Sequence, residues 1–219
     1  MKVELISAEE YELNDFQFDL SENREFVVFD LEGTGPDAEG DSVTQFGAVK
    51  MGNEAHAFES LVKPWKPIPP KVEELTGVTN ERVGNAVRFS DAFERFREFC
   101  GDAVLVTQCG YEYDFPLLDS ECEKAGIERF GNIRLDTKAI FALLHPDRRE
   151  TFSTNFLSDY YRIDRSEFKR HDALSDAKLI AQIFEAELKE ARQLGVHSLS
   201  PDCVRVKRFT LPSNSADQI

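Results

Sequence analysis

The run of residues 26–35, FVVFDLEGTG, constrains the fold more than any other stretch of the chain. Four apolar residues lead directly into an acid, and Gly33 and Gly35 end the run, which is typical of a buried central strand. Because strand side chains alternate between faces, Asp30 and Glu32 should point the same way. Two adjacent carboxylates repel each other, and a hard cation such as Mg²⁺ or Mn²⁺ would relieve that repulsion. The run therefore predicts a metal site at the end of a strand.

Taken alone, the same run leaves two other interpretations open. It resembles the start of the haloacid-dehalogenase phosphatases, in which an aspartyl nucleophile is followed two residues later by a second Asp. Here the second acid is Glu32. A strand that merely ends at the surface with Asp30 and Glu32 also fits, so the decision depends on residues further along the chain.

Length, charge and cysteine content restrict the class of protein. The 219 residues suffice for one sizeable core with one or two appendages. The net charge of −15 argues against broad electrostatic adhesion to nucleic acid, but it permits an enzyme that grips one strand end. No apolar run reaches membrane-spanning length and the first residues do not begin a secretory signal, so we expect a cytoplasmic protein without a membrane partner. Reduced thiols are expected, because no close pair occurs among Cys100, Cys109, Cys122 and Cys203.

The order of predicted elements indicates an α/β fold. Strands at 43–50 and 55–63, joined by a turn at Gly52-Asn53, follow the first strand and predict a three-stranded antiparallel meander. Strands and helices then alternate, which predicts a mixed sheet flanked by helices. Further strands are predicted at 103–106 and 133–136, and helices at 72–78, from Ser90 to 100, from 111 to 125, from 137 to 144, around 156–160 and at 173–194.

The two ends of the chain are predicted to lie outside the main domain. Residues 1–24 form an acidic extension, either a flexible leader or an extra strand and turn, and the alternation of Phe16, Phe18 and Leu20 favours the latter. Residues 25–195 form the main domain. Residues 196–219 form a tail with a strand-like stretch at 204–206 and a polar end expected to fray.

Three separated stretches carry the chemistry: residues 30–35 (DLEGTG), 113–118 (YDFPLL) and 171–176 (HDALSD). In this order and with this spacing they resemble the three motifs of the DnaQ-like, or DEDDh, 3′→5′ exonucleases. The second motif is closest to the TREX-type branch of that family. The stretch 68–79 resembles the family's link between the first two motifs, and the likeness covers roughly residues 25 to 190. It implies a ribonuclease H-like fold.

The resemblance also implies roles for individual residues. His171 would be the general base, and two divalent ions, Mg²⁺ or Mn²⁺, would be bound. The metal ligands would be Asp30, Glu32, Asp114 and Asp176. The substrate contacts would be Leu31, Glu32, Gly33, Thr34, Tyr113 and His171.

The implied activity is metal-dependent release of nucleoside 5′-monophosphates from the 3′ end of nucleic acid. Single strands or frayed ends would be the substrate, DNA is slightly favoured over RNA, and the resemblance allows a homodimer. The alternatives are a non-catalytic binding or accessory subunit on the same fold and, more remotely, the phosphatase. The phosphatase would leave His171 and Asp176 without a role.

Four features outside the motifs have more than one interpretation. Gln108-Cys109 stands where many relatives carry His-Asn, which predicts looser support near Asp114. The lone Trp65 is interpreted as a surface-packing residue rather than a platform for base stacking. Tyr113 is equally consistent with a core aromatic and a substrate contact. The basic cluster of Arg162, Arg165, Lys169 and Arg170 is interpreted as a solvated helix face, with phosphate binding as the alternative.

Overall fold

The protein is described by a computed structural model that covers residues 2–14, 17–20, 24–199 and 204–209. The strands are β1 (Lys2–Leu5), β2 (Glu10–Asn14), β3 (Phe18–Asp19), β4 (Phe26–Gly33), β5 (Val43–Lys50), β6 (Asn53–Leu61), β7 (Val104–Thr107), β8 (Arg134–Asp136), β9 (Ser198–Leu199) and β10 (Val204–Lys207). The helices are α1 (Pro70–Thr76), α2 (Asn80–Val83), α3 (Phe89–Cys100), α4 (Asp114–Ala125), α5 (Thr137–Leu144), α6 (Thr154–Tyr161) and α7 (Ala173–Gln193).

The central sheet has five strands in the order β6-β5-β4-β7-β8. β6, β5 and β4 form the predicted antiparallel meander, and β7 and β8 add parallel to β4. The predicted mixed sheet is therefore confirmed. Pairing of β4 with β7 ends at Val28 and Val106, although β4 continues to Gly33. The acid-bearing half of β4 thus pairs with β5 alone, so its other edge has no strand partner at the topological switch point of the sheet, where ligands of α/β proteins commonly bind.

The side chains of β4 point alternately to the two faces of the sheet. Val27, Phe29 and Leu31 lie in a core built with α3 and α4, whereas Val28 lies in the core beneath α7. Asp30 and Glu32 share the parity of Val28, so both carboxylates are on the α7 face, as their spacing predicted.

The described parts of the chain ends pair with each other. β2 lies between β1 and β10 in a three-stranded antiparallel sheet, and β3 pairs with β9. Tyr11, Leu13 and Val206 pack from this small sheet onto Phe141 of α5 and Ile183 of α7. The predicted strand at 204–206 is confirmed, and residues 2–5 and 10–14 form strands rather than a flexible leader. Phe16, one of the residues behind that expectation, lies outside the described range.

Several predicted boundaries were wrong by a few residues. α3 begins at Phe89 rather than Ser90, and β6 ends at Leu61 rather than at residue 63. The helix predicted from 111 begins only at Asp114, because the backbone of Cys109 and Tyr111 is held in a turn by hydrogen bonds to Asp136. None of the helices in the described ranges combines the length and apolar character that a membrane span requires.

Candidate active site

The site is assembled where the end of β4 meets the start of α7. Asp30 pairs with Gly47 on β5, and Glu32 pairs with Gln45. A Cβ atom at Gly47 would lie 2.1 Å from the carbonyl carbon of Ala173, so only glycine lets α7 approach β5 this closely. The Gln45 side chain strengthens the contact, because its Oε1 accepts a hydrogen bond from the Ala173 N–H at 3.3 Å. Both residues were missed in the sequence analysis.

This contact brings the third motif onto the acids of β4. Glu32, His171 and Asp176 offer ligand atoms that all lie within 4.8 Å of one another. Asp176 is in the first turn of α7, is only 4% exposed, and accepts hydrogen bonds from the His171 N–H at 2.9 Å and from Arg170 Nη1. Three of the predicted site residues therefore form one cluster that could hold a cation.

His171 adopts a left-handed backbone conformation with φ 58°, which is unfavourable for a non-glycine residue. Its N–H group donates to Asp176, so this carboxylate helps to maintain the conformation. Partial burial and the neighbouring charge of Arg170 lower the pKa of His171. The imidazole is thus favoured in its neutral, proton-accepting form near pH 7.

Asp114 reaches the site from the side opposite α7, at the start of α4. Its carboxylate accepts hydrogen bonds from the Leu31 N–H and from Thr107 Oγ1, both at 3.1 Å. The Leu31 N–H lies in the part of β4 that β7 does not cover. Asp114 therefore lies beside the unpaired edge of β4, close enough to Asp30 for their charges to interact.

Asp136 was not singled out in the sequence analysis, although it organises the loop before α4. Its carboxylate accepts hydrogen bonds from the N–H groups of Cys109 at 3.1 Å, Tyr111 at 3.3 Å and Lys138 at 2.9 Å. It thereby caps α5 and also holds Cys109, whose φ is 59°. The only available sequence signal was an acid directly before a helical pattern, which predicts a helix cap but not the contacts with the loop.

Replacing Asp136 with Ala is expected to lower kcat by about 10- to 100-fold, the usual effect of losing a group that orients an active-site side chain. The reason is that the turn leading to Asp114 loses two anchors. KM should change little. As a control, Thr79→Ala removes the cap of α2, a hydrogen bond that involves neither Asp136 nor residues 109–113, and should reduce stability but not kcat. Equal kcat losses in both variants, measured by steady-state kinetics, would contradict the assigned role of Asp136.

Gln108 bonds to residues outside the acid cluster, by which we mean Asp30, Glu32, Asp114 and Asp176. Its Nε2 donates to the Phe152 carbonyl at 2.8 Å, and its Oε1 accepts from Thr137 Oγ1. Asp114 has its own support from Thr107 and Leu31. The looser support expected from Gln108-Cys109 remains a prediction.

The predicted substrate contacts are not all directed at the site. The Tyr113 hydroxyl donates to the Gly35 carbonyl at 2.8 Å and covers Gly33, where a Cβ atom would lie 2.2 Å from that hydroxyl. Gly33 and Tyr113 therefore form a closely packed pair at the end of β4. In contrast, the side chain of Leu31 is in the α3/α4 core, and Thr34 is 1% exposed with its hydroxyl on Asp41 Oδ1 at 2.7 Å.

The interpretation of the basic cluster as a helix face was wrong, because residues 162–172 connect α6 to α7 without forming a helix. Arg165 pairs with Asp159 at 2.7 Å, and Lys169 lies 3.8 Å from Asp172. Arg170 instead enters the acid cluster and bonds to Asp176. Bonds from Arg170 and His171 to Asp176 hold the end of this segment at the site, which charge patterning alone does not reveal.

Burial and mutual repulsion act together on the acids. Burial, followed by the charges of Asp114, Glu32 and Asp176, raises the pKa of Asp30 well above its ordinary value. Burial and the charge of Asp176 raise the pKa of Glu32 to about 8. Burial raises the pKa of Asp114 to about 7 and also raises that of Asp176, against the opposing charge of Arg170. The ionised cluster is thus unfavourable without added positive charge.

These shifts predict that the protein in EDTA loses stability as the pH rises. Glu32 and Asp114 bind their protons more tightly in the folded than in the unfolded state, so stability is greatest below their ordinary pKa values of 4.5 and 3.8 and falls as the pH rises through about 7 and 8. The melting temperature in EDTA should be higher at pH 6 than at pH 9, and Mg²⁺ should raise it more at pH 8 than at pH 6. Glu32→Gln should make the melting temperature in EDTA depend less on pH. An unchanged dependence in that variant would contradict the assignment of this pH effect to the acids of the site.

A five-stranded mixed sheet with a carboxylate and histidine cluster at the switch point defines the class: a hydrolytic nuclease with a ribonuclease H-like fold. Residues 27–184 match the family model RNase_T, described as exonuclease. The chain belongs to this family, that of the DEDDh 3′→5′ exonucleases, which depend on divalent metal ions.

Relatives and solved structures agree with this assignment. The chain is 32% identical over 178 residues to a DNA polymerase III PolC-type of Caldanaerobacter subterraneus subsp. tengcongensis, and 31% identical over 174 residues to one of Latilactobacillus sakei. These matches cover 80% and 78% of this chain but 12% of each relative, so the chain spans about an eighth of their length.

The fold resembles the nuclease domain of 3′hExo, a DEDDh family member bound to rAMP, with a TM-score of 0.68, 17% identity and coverage of 81% of this chain and 96% of that one. It also resembles exonuclease X in complex with 5′ overhanging duplex DNA, with a TM-score of 0.60, 16% identity and coverage of 78% and 93%. The likeness to the TREX-type branch rests on the second motif alone.

Proposed function

We propose that residues 25–195 form a catalytic domain that hydrolyses phosphodiester bonds from the 3′ end of a nucleic acid strand and releases nucleoside 5′-monophosphates. The single observation that carries the proposal is the convergence of Glu32, His171 and Asp176, with their ligand atoms within 4.8 Å of one another. The chain-end strands would buttress this domain through α5 and α7.

The residues present fit a pair of divalent cations. Asp30, Glu32, Asp114 and Asp176 supply only oxygen donors, which suit Mg²⁺ or Mn²⁺. Burial raises the pKa of all four carboxyl groups, and repulsion by the other acids raises it further for Asp30 and Glu32, a cost that bound cations would remove. The Arg170 guanidinium supplies one positive charge at Asp176, which offsets only part of the repulsion.

The chain's own side chains would orient the substrate and move the proton. Two bound cations would neutralise charge on the attacking and leaving oxygens. His171, neutral near pH 7, would accept the proton of the attacking water. The terminal nucleotide would lie against Gly33 and Tyr113, whose contact leaves no space for a larger side chain at position 33.

DNA is the substrate that we favour over RNA, because the two relatives compared above are DNA polymerases. The solved structure of 3′hExo with rAMP shows that a similar fold also accommodates a ribonucleotide. A cytoplasmic location and a homodimer are part of the same proposal.

The test is a turnover assay on 3′-labelled single-stranded DNA, duplex DNA with matched or mismatched ends, and short RNA, with Mg²⁺, Mn²⁺ or EDTA. Stepwise release of 3′-terminal nucleotides, faster on single strands and frayed ends and abolished by EDTA, is the expected result.

His171→Ala should lower kcat by about 10²- to 10⁴-fold, the range for loss of a general base. His56→Ala is the matched control, because His56 is exposed on β6 and packs against Phe99 rather than against the acids. Strand binding without cleavage by the wild-type protein would instead support the accessory-subunit alternative.

A further inference from the structure

A second surface feature lies outside the acid cluster. A groove of about 680 Å³ opens between the segment after β6, the start of α3 and the C-terminal half of α4. Its lining includes Lys63, Trp65, Arg88, Phe89, Glu121 and Lys124, and we call it the Trp65 groove.

Trp65 presents its ring, not its polar edge, to solvent. The side chain is 56% exposed, while its Nε1–H donates to Glu121 Oε1 at 2.9 Å. Glu121 is itself 3% exposed and also accepts from Ser42 Oγ at 3.1 Å. The indole is therefore fixed in orientation by a buried partner, which makes it a preorganised aromatic surface rather than a loosely attached side chain.

The charge of the groove is opposite to that of the chain as a whole. In a protein of net charge −15, the groove contains Lys63, Arg88 and Lys124, and the one carboxylate of its lining, Glu121, is buried. Lys63 and Arg88 are exposed, adjoin each other through the Lys63 N–H to Val87 carbonyl bond of 2.9 Å, and form no ion pair within the described part of the chain. Lys124 Nζ lies 5.1 Å from the centre of the Trp65 ring.

The groove lies at the same end of the central sheet as the acids, but on the α3/α4 face. Glu32 pairs with Gln45, and Gln45 pairs with Leu61 at the end of β6, two residues before Lys63. A second connection runs from Lys66 Nζ to Asp41 Oδ1, and from there to Thr34 in the loop after β4, with both distances 2.7 Å. The loop after β4 thus separates the two features.

We propose that the Trp65 groove binds the single-stranded nucleic acid whose 3′ end enters the acid cluster. This proposal rests on the function proposed above. An unpaired base stacks on Trp65, and Lys63 and Arg88 contact the phosphates beside it. An exposed aromatic ring flanked by unpaired cations is the combination that binds single strands without sequence preference, because every base has a face that can stack and every nucleotide a phosphate. The cations distinguish this occupant from an apolar peptide.

Direct binding can be measured because Trp65 is the single tryptophan of the chain. The wild-type protein is titrated in EDTA with an oligothymidylate of about 15 nucleotides, long enough for one single-strand site. Binding is followed by the anisotropy of a label on the oligonucleotide and by Trp65 fluorescence. Quenching of Trp65 in parallel with the anisotropy change is expected. Binding without quenching, or no binding, would overturn the proposal.

The cations are tested with the double variant Lys63→Glu/Arg88→Glu. It should weaken oligonucleotide binding by at least about ten-fold and reduce the dependence of binding on salt concentration. The matched control is Lys71→Glu/Arg95→Glu, which makes the same charge change outside the groove. Equal weakening of oligonucleotide binding by both double variants would mean that only net charge matters, and the groove would then be excluded as the binding site.

A kinetic test separates this proposal from the proposed function. Trp65→Ala should raise KM for the long oligonucleotide about ten-fold, as expected for the loss of one stacked base. Hydrolysis of the p-nitrophenyl ester of thymidine 5′-monophosphate, which has a single nucleotide, should be unchanged. Trp65→Phe retains a stacking ring but loses the hydrogen bond that orients it on Glu121, so its KM should lie between those of Trp65→Ala and the wild type. An unchanged KM for the long substrate in Trp65→Ala, or an equal loss of activity on both substrates, would overturn the proposal that the groove binds the strand.

If the wild-type protein hydrolyses neither substrate, the proposed function fails, and the fluorescence titration still decides whether the groove binds a single strand.

Discussion

The Asp30→Asn protein is expected to have a kcat/KM for 3′-end hydrolysis about 10³-fold or more below that of the wild type. In EDTA, however, it should unfold at a higher temperature than the wild type. The activity falls because cation binding supplies several kcal/mol of charge stabilisation, and each 1.36 kcal/mol is worth a factor of ten. The stability rises because the substitution replaces a buried carboxyl group, which Asp114, Glu32 and Asp176 repel when it is ionised, with a neutral amide. Activity and stability thus change in opposite directions, as for a site under functional strain.

The measurements are single-turnover kinetics with Mg²⁺ and thermal unfolding in EDTA at pH 8. Asp102→Asn is the matched control, since Asp102 is exposed and its substitution should alter neither quantity. Addition of Mg²⁺ should stabilise the wild type more than Asp30→Asn. Full activity of the purified Asp30→Asn protein would rule out the proposed mechanism, and an unchanged melting temperature in EDTA would contradict the electrostatic account of the cluster.

Gly47→Ala should lower kcat by about 10²-fold or more, although Gly47 carries no chemistry. Its added Cβ would lie 2.1 Å from the Ala173 backbone, so β5 and the start of α7 must separate. Asp176 and His171 would move with α7 away from Asp30 and Glu32. A displacement of about 1 Å at reacting groups can cost 10²-fold in rate. Overpacking of this kind should also cost about 1–3 kcal/mol of stability.

Gly131→Ala provides the control, because no heavy atom lies within 4 Å of a Cβ placed there and its φ is not positive. Its kinetics should match the wild type. Far-ultraviolet circular dichroism should show that the Gly47→Ala protein is still folded. A folded Gly47→Ala protein with wild-type kcat would mean that the contact between β5 and α7 does not set the geometry of the cluster.

The residues of the cluster could be predicted because local sequence determines them. Two acids at alternate positions of a strand must share a face, and the resemblance of the three motifs to those of the DEDDh exonucleases implies that Asp114, His171 and Asp176 belong to the same site. The mixed sheet followed from the spacing of apolar runs. In each of these cases the signal lies within a short stretch.

The remaining features depend on contacts between distant segments. The hydrogen bonds of Asp136 to Cys109 and Tyr111, and of Gln45 to Ala173, join residues that are far apart in sequence, and neither side chain has an unusual local pattern. In sequence, Arg170 does not differ from the nearby surface cations, and its bond to Asp176 depends on the fold. The pairing of β2 with β10 likewise joins opposite ends of the chain, and period-2 patterns do not specify a partner.

The early end of pairing between β4 and β7 has a consequence for motion. Beyond Val28, the edge of β4 that faces β7 is held by a side chain, since the Leu31 N–H donates to Asp114 rather than to a neighbouring strand. A single carboxylate can release that amide by a rotamer change, whereas a ladder opens only by disrupting several bonds together. The proposed seat of the terminal nucleotide would therefore widen and narrow with this one side chain, without opening the hydrogen-bonded ladders of the sheet.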